Sequence, residues 1–379
     1  MSTHDRTKFV AQSSAHHYAE MSLKTSAPID DVDAAADSFA HLAEGRRPEG
    51  NPIYGRLHND TVSEFELALA ELEHTDDAVA FSSGMAAVTA AVMAASADGD
   101  HLLAIRPLYG GTDHLLDERV CGIDVRWVTA DEVADAVTDT TALVIAETPA
   151  NPTLDLLDIQ RLCDNAGDTP VLIDSTFATP VLQNPADLGA TLVLHSATKY
   201  IGGHGDVIGG VVACSEDWAR RLRQIRIATG ALLHPMAGYL LRRGLATLPV
   251  RMEAAQTTAR QLAVRLVEHP SVEQVYYPGL NACDPHGLIG TQMTGPGAMI
   301  AFDVGDRQLA RRAMEDVQVI TPAVSLGTTD TLIQHPASLT HSLVDDNALE
   351  DCGISPGLLR VSVGLEHVED LWGDLDAVL

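Results

Sequence analysis

The chain is predicted to be an α/β protein: a large domain on a mostly parallel sheet, then a smaller C-terminal α/β domain. Three observations carry this. Between about residues 78 and 214, short apolar strands alternate with helical stretches, the signature of a parallel sheet with helices on both faces. After about residue 215 the alternation gives way to one long helical region and then to new strands. A chain of 379 residues also exceeds what one hydrophobic core usually organises. The divisions read from this are an arm over 1–50, a large domain over 51–235 and a small domain over 236–379.

The elements follow in order. Residues 1–50 are polar without a sustained period and read as an arm. GRRPEGNPIYGR (45–56) is rich in turn residues. TVSEFELALAELE (61–73) has apolar residues at helical spacing behind Thr61, which predicts a helix. AVAF (78–81) is a strand running into the small-residue helix SSGMAAVTAAVMAASA. HLLAI (101–105) and VRWV (125–128) are strands, the second followed by a helix near 131–137. ALVIAE (142–147) is a buried strand ending in TPANPT, and LDIQRLCDNAG is helical. VLID (171–174), TLVLHS (191–196) and GGVVAC (209–214) are further strands. The segment from Trp218 to Pro270 is helical, with Pro235 and Pro249 expected to kink or split it. VEQVYYPG, AMIAFDV and LLRVSVG supply strands of the second domain.

Composition limits the function. The net charge is −29, which repels nucleic acid and anionic membranes, so neither is expected as a partner. No apolar run is long enough to cross a bilayer. MSTHDRTKFVAQSSAHHYAE lacks the basic-then-apolar order of a signal peptide, so a cytoplasmic setting is expected. Cys121, Cys163, Cys214, Cys283 and Cys352 are scattered and odd in number, as for reduced thiols. No HExxH or convincing histidine spacing marks a metal site, and His195 and His204 read as structural.

The basic residues are more informative. Lys8, Lys24 and Lys199 are the lysines of a chain that otherwise uses arginine. Two lie in the arm, so the folded body keeps one, in HSATKYIGGHGDVIGG (195–210). Arginine stays protonated, whereas lysine can lose its proton and act as a nucleophile. The glycines follow the lysine, so this is not a GxxxxGK[ST] phosphate loop, and GxGxxG is absent too.

Three features fall at strand C-terminal ends, where open α/β sheets bind ligands. FSSGMAA (81–87) turns a strand into a helix through Ser82, Ser83 and Gly84. It offers free N–H groups to an anion, or an ordinary serine cap. Asp174 closes VLID as a half-buried carboxylate, either a local cap or a partner for a cationic ring nitrogen. Ser196 and Thr198 bring small hydroxyls beside Lys199, whose pKa falls in a partly dry, positive setting. Phosphate cup, carboxylate and lysine on adjacent strand ends meet the needs of pyridoxal 5'-phosphate: phosphate anchored, ring nitrogen held protonated, aldehyde captured by the amine.

The chain resembles the Cys/Met-metabolism family of pyridoxal-phosphate enzymes, the cystathionine γ-synthase/lyase family. The likeness runs from about residue 50 to the C-terminus. It covers YGR (54–56), SSGMAA, LYGGT (108–112), ETPANPT (147–153), IDSTFATP (173–180), HSATKYIGGHGD, SLG (325–327) and LLRVSVGLE (358–366). The resemblance implies the fold-type-I, aspartate-aminotransferase-like architecture. It also implies a homotetramer built as a dimer of dimers, with the arm against a neighbouring subunit and sites shared across the dimer interface. It implies roles by motif. Lys199 is the Schiff-base lysine and proton shuttle, and Asp174 the ring-nitrogen partner. Ser83, Gly84, Met85, Ser196 and Thr198 hold the phosphate. Tyr54 and Arg56 reach the neighbouring subunit's cofactor. Tyr109 stacks on the ring and acts as acid or base near the leaving group. Asn151 contacts cofactor or substrate. Arg360 grips the substrate carboxylate, Ser325 orients the lysine region, and Val324 lines the substrate side.

Within that family, AVSLGTTDTLIQHPASLTHS (323–342) is most like the methionine γ-lyases. Apolar Val324 suits a thioether methyl, where cystathionine γ-lyases tend to carry an acidic residue. The expected substrate is therefore a small sulfur amino acid, with α,γ-elimination of L-methionine as the expected reaction. Cystathionine γ-lyase or γ-synthase activity, or O-acetylhomoserine sulfhydrylation, is the alternative. Three positions depart from the methionine enzymes: Gly111 stands in place of their Cys, Arg226 and Ile227 in place of a Lys-Asp pair, and Asp60 in place of the family's usual Pro.

Overall fold

Short apolar runs bounded by turn residues form strands, and a computed structural model, described over residues 7–10, 21–339 and 354–379, arranges them in two sheets. The first holds β1 (Asp77–Phe81), β2 (His101–Ala104), β3 (Asp124–Trp127), β4 (Thr141–Glu147), β5 (Val171–Asp174), β6 (Leu192–His195) and β7 (Gly210–Cys214). Their spatial order is β1-β7-β6-β5-β4-β2-β3. Only β7 runs antiparallel to its neighbours, so the sheet is mostly parallel, as expected. All seven residues of β4 are buried, which fits a central strand covered on both faces. The C-terminal ends of β1, β2, β4, β5 and β6 consequently share one edge of the sheet. The second sheet is smaller and largely antiparallel. It holds β8 (Gln274–Tyr276), β9 (Met299–Asp303), β10 (Thr321–Pro322), β11 (Leu332–Gln334) and β12 (Leu358–Ser362), in the order β10-β11-β12-β9-β8. β10 and β11 are too short to stand out as periodic runs in the sequence.

Side-chain caps set most helix starts. Asp31 accepts N–H bonds from Asp33 and Ala34 to begin a helix over Val32–Ala43, inside the segment expected to be a featureless arm. The helix read from Thr61 begins one residue earlier, at Asp60, because Asn59 rather than Thr61 is the cap. Asp60 occupies the first helical position. A proline fits that position because its N–H is not needed there, and an acidic residue fits because it meets the positive helix end. The departure from proline is thus accommodated.

The expected split at Pro249 does not occur. The long helical region breaks after Thr229, where Gly230 closes the first helix with φ of 74°. A second helix then runs unbroken from Pro235 to Val267. Pro249 removes one backbone hydrogen bond, a penalty of about 3 kcal/mol in a helix interior. Burial of Leu241, Leu245, Leu248 and Met252 on one side outweighs it. Further along, Ala259, Leu262, Ala263 and Leu266 of the same helix pack in the core of the second sheet. One rod thereby joins the two cores.

No helix among the described residues is long and apolar enough to cross a membrane. Cys352, residues 340–342 of the 323–342 segment and parts of the N-terminal arm lie outside the described residues.

Candidate active site

A cavity of about 430 Å³ opens at the shared strand edge, walled by both sheets' connecting loops. That volume suits a cofactor-sized ligand. Most of the residues singled out in the sequence line it: Ser83, Gly84, Met85, Tyr109, Asn151, Asp174, Ser196, Thr198, Lys199, Val324, Ser325 and Arg360. Tyr54 and Arg56 do not. Tyr54 is exposed, and Arg56 donates to the Ile227 carbonyl at 3.1 Å.

The β1 end carries the candidate anion cup. Ser83 is extended and caps the helix Gly84–Ala95 by accepting from the Ala86 N–H at 3.1 Å. The cap and the cup are therefore compatible, since the first N–H groups of a helix lack internal partners. A Cβ on Gly84 would stand 3.0 Å from Ser196 Cβ. Glycine thus lets the helix start close against the β6 end, where Ser196 lies. Thr198 is more constrained than its motif implied. Its hydroxyl donates to the Gly209 carbonyl at 3.1 Å and accepts from the Gly209 N–H at 3.0 Å.

Asp174 ends β5. Its Oδ1 accepts from the Thr176 N–H at 3.0 Å and from the Thr176 hydroxyl at 2.5 Å. The same hydroxyl oxygen accepts from the Ser196 N–H at 2.8 Å. Thr176 thus ties the carboxylate to the anion cup. The signal in the sequence is the Asp-x-Thr spacing of an Asx turn. Burial pushes the Asp174 carboxyl above the usual carboxylate range, against the pull of the Thr176 bonds. Glu147, at the end of β4, pairs in register with Asp174 and lines the cavity too. Burial first, and the neighbouring Asp174 second, push its carboxyl well up, against the pull of the N–H bonds from Tyr109 and Asn151. No signal in the sequence singled out Glu147, since a strand-end glutamate reads as an ordinary surface residue until its neighbour strand is known.

Lys199 donates from Nζ to Ser325 Oγ at 2.8 Å. Burial, then the nearby Arg360 charge, lower its pKa from 10.5 to about 8. Ser325 has φ of 85°, a left-handed conformation uncommon for serine, and strain of this kind concentrates at functional sites. Arg360 lies buried on β12. It donates to Asn151 Oδ1 at 2.5 Å and to the Ser325 carbonyl at 2.9 Å, and its guanidinium stands 5.9 Å from the centre of the Phe177 ring. Tyr109 is held from behind: Arg106 forks Asp113 at 2.6 and 2.9 Å across the loop that carries it. A Cβ on Gly111 would meet Tyr109 Cε1 at 2.6 Å, so the glycine makes the seat for the ring.

The glycines after Lys199 serve another purpose than the cavity. A Cβ on Gly203, at φ of 72°, would meet the Arg251 guanidinium at 2.1 Å. Arg251 donates to the carbonyls of Tyr200 and Gly244 at 2.7 and 2.8 Å, pinning the lysine's loop to the long helix. His195 Nε2 pairs with Glu73 at 2.6 Å in the core, and His204 Nδ1 lies 2.7 Å from the Gly202 carbonyl, both structural contacts. Arg226 is likewise buried behind the sheet, bonded to Glu66 and to the Ala80 carbonyl at 2.5 and 2.9 Å. It does not line this cavity. Among the described residues no cluster of His, Cys, Asp and Glu suits a metal.

Two buried, in-register carboxylates favour a cationic guest, because burial and mutual repulsion disfavour both being ionised. Opposite needs are met by the helix N-terminus at Gly84, which favours an anion. A lowered-pKa amine stands in the same cavity. The combination fits a phosphorylated aromatic aldehyde with a basic ring nitrogen, and so defines the class of pyridoxal-phosphate enzymes. The chain belongs to the family described as Cys/Met metabolism PLP-dependent enzyme, which it matches over residues 7–379. It is 55% identical over 367 residues to the L-methionine gamma-lyase of Brevibacterium sandarakinum, covering 96% of this chain and 92% of the relative. To the cystathionine gamma-lyase of Bacillus subtilis it is 40% identical over 334 residues, covering 86% and 88%. Among solved structures, a cystathionine gamma lyase from Micromonospora echinospora superposes with a TM-score of 0.89 at 34% identity, over 100% of this chain and 99% of that one.

Proposed function

We propose that this chain is a methionine γ-lyase, converting L-methionine and water to 2-oxobutanoate, methanethiol and ammonia. Val324 carries the reading. It is 52% exposed on the cavity wall beside Ser325 and offers an apolar surface to a thioether methyl. The carboxylates lining the cavity, Glu147 and Asp174, already accept bonds from backbone N–H groups. Both oxygens of Glu147 are thus engaged, and Asp174 is assigned to the ring nitrogen, which leaves a distal ammonium such as that of cystathionine without a dedicated carboxylate among the described lining residues. The 55% identity to a relative named L-methionine gamma-lyase supports the same choice.

Pyridoxal 5'-phosphate, when bound, supplies a ring that withdraws electrons from the substrate's α-carbon. The chain's residues do the rest. Gly84 and Met85 N–H groups and the Ser196 hydroxyl hold the phosphate, with Ser83 capping the helix behind them and Thr198 bracing the loop. Asp174 holds the proton on the ring nitrogen. Lys199 would hold the aldehyde end and would take the Cα proton and move protons along the substrate. Tyr109 would pack against the ring and would give a proton to the departing sulfur. Arg360 grips the substrate carboxylate as a planar fork, Asn151 orients Arg360, and Ser325 aims Lys199. Tyr54 and Arg56, outside their own chain's cavity, serve a neighbouring subunit's site in a homotetramer assembled as a dimer of dimers.

The test is a panel of L-methionine, cystathionine, homocysteine and O-acetylhomoserine with the purified holoenzyme. Methionine is expected to have the highest kcat/KM for elimination. A large preference for cystathionine overturns the methionine reading. A second expectation concerns pH. The Lys199 amine becomes neutral, hence nucleophilic, as pH rises through about 8. The cofactor-free protein should therefore take up pyridoxal phosphate faster at higher pH, with a midpoint near that value. Following the visible absorption as it grows, from neutral to mildly alkaline buffers, checks this; a flat rate profile contradicts it.

A further inference from the structure

Glu147 has no part in the chemistry above, yet it occupies the centre of the site. Its side chain is buried, and both carboxylate oxygens are engaged. Oε2 accepts from the Tyr109 N–H at 2.7 Å, and Oε1 accepts from the Asn151 N–H at 2.9 Å. Tyr109 arrives on the loop after β2 and Asn151 on the loop after β4. One carboxylate therefore clasps the two loops that leave the neighbouring strands β2 and β4. The chain of contacts continues. Asn151 Oδ1 takes the Arg360 guanidinium, Arg360 holds the Ser325 carbonyl, and Ser325 Oγ receives Lys199. Glu147 is the single residue in this series that touches both the Tyr109 side and the Arg360 side.

Its placement is unfavourable in itself. A buried carboxylate loses hydration, and in-register Asp174 repels it. An apolar residue would fill the strand end without that penalty. What only a carboxylate offers is two equivalent acceptors for two converging N–H donors. A glutamine offers one, and its amide nitrogen would face the other donor.

We propose that Glu147 is a positioning residue that sets Tyr109 on the cofactor plane and Asn151 against Arg360, and so controls turnover through them. This rests on the role given above to Tyr109. The test is a double-mutant cycle in the holoenzyme with E147Q, Y109F and the double variant. It uses whichever substrate of the panel is best, so a failure of the methionine assignment leaves it intact. Misplacing a reacting group by a fraction of an ångström lowers turnover strongly, so E147Q is expected to reduce kcat by about 30-fold, with KM within about threefold of wild type. The visible cofactor absorption should keep its amplitude. In the Y109F background E147Q should reduce kcat by less than about threefold, since the two act as one unit. Additive losses overturn the proposal, as does a loss explained by lower cofactor content. If E147Q does not fold, Glu147→Asp, which keeps the charge but shortens the reach, carries the same cycle. Failure of both to fold assigns Glu147 to stability alone and overturns it equally.

Discussion

Replacing Lys199 with alanine is expected to lower kcat/KM by at least about 10⁴-fold, the upper range for a positioned acid–base group, while leaving the fold intact. The side chain bonds Ser325, and its removal orphans one serine hydroxyl at a cavity wall that water reaches. Thermal unfolding should therefore change little. The chemistry should change almost completely. No other lysine lies in the body of the chain, since Lys8 and Lys24 precede residue 50. The neighbouring cation, Arg360, stays protonated even with its pKa lowered to about 10 by burial, so it cannot take over proton removal at neutral pH. Lys199→Arg should be equally inactive for the same reason. Comparing kcat/KM and the visible absorption of the three proteins decides the matter. A loss below about tenfold in Lys199→Ala would mean that another group removes the proton.

Replacing Glu66 with alanine should destabilise the fold by about 3–5 kcal/mol, the usual effect of breaking a buried ion cluster. Glu66 is buried against β1. Its Oε1 accepts from Arg226 at 2.5 Å and from the Ala80 N–H at 2.8 Å, and its Oε2 lies 3.3 Å from Arg47. Arg47 also reaches Asp77 at 2.6 Å, and Arg223 bonds the same aspartate. Alanine would leave Arg226 buried with its main partner gone. Arg226, Arg47 and Arg223 together hold the Glu66 carboxyl down at about 2, against 4.5 ordinarily, although burial alone pushes the other way. A carboxyl held below its unfolded value stabilises the fold above that value. The contribution, about 3 kcal/mol by linkage, is then lost as pH falls from about 4.5 toward 2. Denaturant unfolding should show wild-type stability declining over that window. Glu66→Gln, which has no charge to lose, should decline less there. Parallel curves for the two proteins would contradict this account.

The same cluster explains one departure from the methionine enzymes. Arg226 stands where they carry lysine, and here it is spent on Glu66 behind the sheet rather than on the cavity of its own chain. Ile227 offers its carbonyl to Arg56, so the end of this helix is tied to the YGR segment through the Arg56 side chain. Gly111, the second departure, makes room for Tyr109, whose ring a side chain at that position would displace. Both substitutions have local physical reasons, and neither changes the apolar wall at Val324.

Much of the molecule follows from the sequence by itself. Strand β4 is legible because 142–146 is an uninterrupted apolar run, fit to be buried on both faces. The parallel sheet follows from strands separated by helical stretches long enough to cross over. Lys199 stands out because arginine supplies nearly all other positive charge, and Asp174 because a carboxylate closes an otherwise apolar strand. Such features are local: a residue type, a period or a short spacing determines them.

Only the tertiary structure decided the rest, because it depends on which strands and loops become neighbours. The pairing of Glu147 with Asp174 requires β4 to lie beside β5 in register. The contact of Arg360 with Asn151 joins residues 209 positions apart. Pro249 reads as a helix breaker until the burial on both sides of it is known. The need for glycine at 203, with φ of 72°, becomes visible only when Arg251 is seen packed against it. A sequence specifies the groups and their local conformations. The distances and burial that turn a lysine, two carboxylates and an arginine into one site arise when the sheet brings their strand ends together.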